Sequence, residues 1–118
     1  MVRATAAEVL KLMGGSYPPG LDATSVGNLC ADGDYILDGY VKTTYKTDLS
    51  TSATDVVSIA NHIVFRLCMR ALWAQGGGTL TGMQEPQTLT EELKTRIAAV
   101  VGDTTTDGYG YVKMQAED

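Results

Sequence analysis

Residues 52–75, SATDVVSIANHIVFRLCMRALWAQ, decide the fold. At 100° per residue, Val56, Ala60, Ile63, Val64, Leu67 and Ala71 fall on one face, the spacing of a helix that faces a core. A second apolar ridge, Phe65, Met69 and Trp73, recurs at i, i+4 and i+8 among Ser58, His62, Arg66 and Arg70. A helix that is apolar on two sides is either the central member of a small bundle, covered by its neighbours, or one that offers its outer side to a partner.

Upstream, Thr5 and Glu8 have the spacing of a capping box, and Ala6, Val9, Leu10 and Met13 share a face, so a short helix is expected over 5–13. Gly14-Gly15 stops it. Tyr17-Pro18-Pro19-Gly20 then forms a loop, because proline lacks an N–H donor and restricts the residue before it. It lacks the repeated PxxP of a polyproline ligand.

A long second helix should start between Asp22 and Asn28 and reach Tyr45, with Val26, Leu29, Cys30, Ile36, Leu37, Tyr40, Val41 and Thr44 on one face. Asp32, Asp34, Asp38 and Lys42 are expected to point away as a solvated acidic face. Gly27, Gly33 and Gly39 each cost the helix about 1 kcal/mol relative to Ala. Gly33 lies on the apolar face, where close approach of another backbone justifies it.

Residues 47–52 form a short link, implying that the second helix and the central one are antiparallel neighbours, with Ser52 and Asp55, or Thr54, capping the latter. Gly76-Gly77-Gly78 ends the central helix and opens a loop to Gln87 with Leu80 and Met83 near its tip, either a binding arm or a slack connection. Thr88 and Glu91 repeat the capping-box spacing, and Leu89, Leu93, Ile97, Val100 and Val101 mark a fourth helix ending before Gly102. Glu91, Glu92, Lys94 and Arg96 lie mainly on its outer side.

The fold class expected is therefore all-α, a small bundle of about four helices over residues 1–102, with a flexible loop and an extended C-terminal tail over 103–118. In that tail Tyr109-Gly110-Tyr111-Val112 favours extended backbone. It either adds as a strand to a neighbour or is a disordered terminus.

Composition bounds function. The 118 residues suffice for one domain with a real core, and 44% hydrophobic with 19% charged residues is ordinary for a globular protein. No uninterrupted apolar run approaches the ~18 residues of a membrane span, so no membrane association is expected. Glu8 and Lys11 break the early apolar residues, unlike a signal peptide. A net charge of −5 opposes nonspecific binding to nucleic acid, which relies on Lys and Arg at phosphates.

Catalytic, cofactor and metal sites are not expected, and the chain is not read as an enzyme. His62 is the single histidine, with no nucleophile-elbow sequence to serve. AQGGGTLTG follows a helix and lacks the Lys-Ser/Thr of a phosphate loop. Asp32, Asp34 and Asp38 lack the glycine and closing glutamate of an EF-hand. Cys30 and Cys68 read as reduced core thiols.

Binding is the chemistry that remains. Arg66 and Arg70 flank Phe65, Met69 and Trp73, a mixture enriched at protein interfaces. With Leu80 and Met83 in the loop, and Tyr109, Tyr111 and Val112 in the tail, these are the candidate interface residues.

The order of elements resembles the small helical head–tail connector, or head-completion, proteins of tailed bacteriophages. The matching residues are ATAAEVLKLMG, then Ala31-Asp32 with Ile36, Tyr40 and Tyr45, then Leu49, and Ile59-Ala60 with Ile63 and Leu67. The match covers about residues 4–73. The glycines of the second helix, Gly76–Gly78 and the tail from Asp103 depart from it.

The resemblance implies a structural protein of the virion neck, made in the host cytoplasm. Copies would form a ring beneath the portal protein, join it to a tail or stopper protein, and surround DNA that passes without specific binding. The alternative expectation is a small helical adaptor or regulatory binding module unrelated to virions.

Overall fold

The computed structural model describes residues 2–49, 53–77 and 84–105, with side chains up to 102. Four helices follow in order: α1 (Ala6–Leu12), α2 (Ala23–Tyr45), α3 (Thr54–Gln75) and α4 (Glu91–Thr105). The all-α bundle expected from hydrophobic spacing is present. Leu80, Met83, Tyr109, Tyr111 and Val112, together with the expected extended tail beyond Thr105, lie outside the described residues.

Each helix start has a local cause. Thr5 Oγ1 accepts the Glu8 N–H at the head of α1, while the Glu8 carboxylate turns instead to Lys11. Asp22 and Ser25 form a complete capping box on α2, each side chain accepting the other's backbone N–H. Ala53 occupies the N-cap of α3 without a side-chain bond, so Thr54 does not cap it as expected. At α4 the hydroxyl that accepts a helical N–H, that of Leu93, is Thr90 rather than Thr88.

Helix α3 is the centre. Val56, Ile59, Ala60, Ile63, Val64 and Cys68 are buried, while Leu67 and Ala71, expected on the same face, are half-covered. Val9 of α1, Val26, Cys30, Leu37 and Val41 of α2, and Leu93, Ile97 and Val101 of α4 join them in one core. By length and mean hydropathy alone α3 is apolar enough to cross a membrane. In this fold its apolar residues are shared among three neighbouring helices.

Two expectations are corrected. Helix α4 runs through Gly102 to Thr105, because a single glycine costs only about 1 kcal/mol and Val100, Val101 and Gly102 are buried against the bundle. The boundary expected at 102/103 thus falls inside the last turn of α4. Asp34 is not part of a solvated face: it is 3% exposed and accepts from Arg3 Nε at 2.9 Å and from the backbone N–H groups of Arg3 and Ala4 at 2.7 and 3.0 Å.

Arg3, also buried, reaches Asp38 as well and donates to the Leu49 carbonyl at 3.1 Å. Two residues on, the Thr5 N–H donates to Asn61 Oδ1 of α3 at 3.0 Å. The segment before α1 is therefore pinned to α2, α3 and their link by polar bonds. Among the described residues no buried side-chain polar atom lacks a partner.

Candidate functional site

The outer ridge of α3 separates two recesses of different chemistry. Phe65 packs onto the core edge, and Phe65, Met69 and Trp73 are all half-buried. On the α1 side, Phe65, Met69 and Leu72 face Leu12, Met13 and Pro18 across an open apolar groove of about 430 Å³. Gly14 and Gly15, both at positive φ, turn the chain sharply after α1, so the loop to Pro18 forms the far wall. Neighbouring elements cover the ridge partly, not fully.

On the α4 side, His62, Phe65, Arg66, Glu92, Leu93 and Arg96 line a narrower recess of about 260 Å³. Its floor is apolar and its rim carries two guanidinium groups. Arg96 donates to Ser58 Oγ at 2.9 Å and Arg66 Nε to the Gln87 carbonyl at 2.8 Å. Among the described residues neither is ion-paired with a carboxylate. Burial pushes the His62 imidazole below its ordinary pKa, and the Arg96 charge adds to this against a smaller opposing effect of Glu92.

Arg70 has a different use. It pairs with Glu85 and donates to Thr88 Oγ1 at 3.1 Å, so with Arg66 it ties the chain entering α4 back onto α3. Both arginines lie beside the ridge, as their spacing implied, and both hold their own fold together. Of the ten candidate interface residues the structure brings five together: Phe65, Arg66, Met69, Arg70 and Trp73.

No family model, curated protein or solved structure matches this chain. Among the described residues no group of three His, Cys, Asp or Glu side chains is placed to hold a metal ion. Asp34 and Asp38 instead hold Arg3, while Cys30 and Cys68 are buried thiols, the latter pushed up to about 11 by burial and the neighbouring Cys30.

Sequence reasoning missed the α4-side recess. Arg96 and Glu92 read as outward-facing charges, and only the docking of α4 on α3 brings them beside His62. Their i, i+4 spacing was visible, but the rotation of α4 against α3 was not. What the arrangement offers is recognition: an apolar groove and a cation-rimmed aromatic recess, back to back across Phe65.

Proposed function

We propose that this protein is a structural connector of a tailed-bacteriophage virion, ring-forming, seated between portal and tail. The observation that carries the reading is the half-covered outer ridge of α3, with recesses on both sides of Phe65. A subunit that must be held on two sides needs more than one docking surface, and both lie along the central helix of the fold. The sequence resemblance to connectors supports the same reading, and the stretches that carry it fall on α1, the long α2, the buried Leu49 and the central α3.

The net charge of −5 suits a channel wall, because excess carboxylates repel phosphate and let DNA slide. The partners are then copies of the chain itself, the portal protein and a tail or stopper protein, at the virion neck.

Co-purification of the tagged chain from cells making it in native context, with mass spectrometry of the partners, tests this. Portal and tail-completion proteins in multi-copy complexes support the connector. A single cellular partner moves the assignment to a helical adaptor that uses the same groove, and recovery of the chain alone rejects the connector.

A further inference from the structure

The described surface carries one large aromatic side chain with no packing role. Tyr35 of α2 is 80% exposed. Gly33 and Leu37, two residues to either side, are buried, so Tyr35 points away from α3. Asp32 and Asp38, one turn before and after it, are exposed on the same side, and Asp32 has no ion-pair partner among the described residues. Gly39, one turn beyond, has open space above its backbone, so a neighbouring surface can approach closely around the ring.

The recess between α3 and α4 has the complementary character. Phe65 and Leu93 give it an apolar floor, Arg66 and Arg96 give it two cations without carboxylate partners among the described residues, and its volume of about 260 Å³ takes one aromatic ring. Glu92 on the same rim removes one charge, leaving the recess net positive. Tyr and Arg are prominent among residues that dominate interface energies, and a guanidinium over an aromatic face is attractive.

We infer that Tyr35 of one copy inserts into the His62–Phe65–Arg66–Leu93–Arg96 recess of the next, with Asp32 meeting the guanidinium groups at its rim. Tyr35 faces away from its own α3, so it reaches only another copy's recess. Each copy then uses a different surface on each side, a head-to-tail contact that repeats and closes into a ring where its rotation permits. The inference deepens the connector reading by naming the contact between subunits, and it makes the partner a second copy of this chain.

The test places a photo-crosslinking benzoylphenylalanine at position 35 of the full chain and irradiates it over a concentration series without any other protein. Covalent dimers whose cross-linked peptides join position 35 to residues 62–66 or 90–96 are expected. Tyr35→Ala should weaken self-association, measured by sedimentation, about thirty-fold, the loss typical of a hot-spot anchor. Its helical circular dichroism and melting temperature should stay close to wild type.

Charge reversal supplies the second arm. Asp32→Arg and Arg96→Glu should each weaken self-association, and mixing the two variants should restore it. Cross-links joining position 35 to itself or to the Leu12–Met13 groove, absence of covalent dimers across the series, or no rescue on mixing would each overturn the contact. Self-association through these surfaces without portal co-purification would leave the contact standing and remove the connector reading, so the two can fail separately.

Discussion

Gly33 of α2 lies directly against Val64 of α3: a Cβ at position 33 would overlap Val64 Cγ2 and sit 3.4 Å from the Val64 backbone nitrogen. The two long helices approach closely here, at a residue with no side chain to hold them apart. Cys30 and Cys68 belong to the same seam. On antiparallel helices their numbers sum to nearly the same value as 33 and 64, which places them one turn along.

Three glycines of α2 should therefore respond with opposite signs. Gly33→Ala must displace Val64, which is fully buried, and overpacking typically costs about 1–3 kcal/mol, partly offset by the better helix propensity of alanine. Nothing lies within 4 Å of a Cβ at Gly27 or Gly39, so Ala there should stabilise by about 0.5–1 kcal/mol. Urea melts of the three variants check this. A neutral or stabilising Gly33→Ala would show that the seam has slack.

The Arg3–Asp34 pair gives an ordering. Asp34→Ala leaves Arg3 Nε and two backbone N–H groups without their acceptor, with only the half-exposed Asp38 left to balance the guanidinium, and breaking one side of a buried ion pair costs about 3–5 kcal/mol. Arg3→Met should cost less, because Asp34 keeps both backbone donors. Asp38→Ala should cost least, its carboxylate being half-exposed. Equilibrium unfolding of the three variants should follow that order, and loss of α1 docking should accompany the first.

The buried thiols predict chemical silence. Cys68 is fully covered and its pKa is pushed up to about 11 by burial, then by Cys30, while Cys30 is raised by burial and by Asp34. Thiolate is the reactive form, so alkylation near pH 8 should proceed only as fast as the bundle opens. Intact mass after iodoacetamide treatment, with and without denaturant, measures it. Modification of the native chain at the rate of a free thiol would contradict the packing of the α2–α3 seam.

The helices were readable from sequence because their periodicity and stops are local. Thr5 at the head of α1, the Gly14-Gly15 stop and the apolar periodicity of α3 all lie within single stretches. Asp34 was not readable: its partner Arg3 lies 31 positions away, and an aspartate between Gly33 and Tyr35 reads as one more solvent-facing carboxylate. The α3 ridge announced itself through i, i+4 spacing. The recess did not, since His62 and Arg96 belong to different helices and meet only once α4 docks. At α4 the expected cap, Thr88, is taken up by Arg70, and Thr90 accepts the helical N–H in its place.

His62 makes stability depend on pH in a direction that can be stated. Its folded pKa lies below the ordinary 6.5, first through burial and then through Arg96, so the unfolded chain binds a proton that the folded chain resists. As pH falls through 6.5, stability is lost, and the loss levels off below the folded pKa. His62→Gln should flatten this part of the profile between about pH 5 and 8. Arg96→Gln should shrink the loss by removing one cause of the shift, and Glu92→Gln should deepen it by removing the opposing charge. Taking the difference between wild type and variant at each pH cancels the carboxylates that titrate lower down. An identical pH profile for wild type and His62→Gln would mean that the imidazole is as well hydrated in the folded chain as in the unfolded one, and that the α3–α4 recess is open to water.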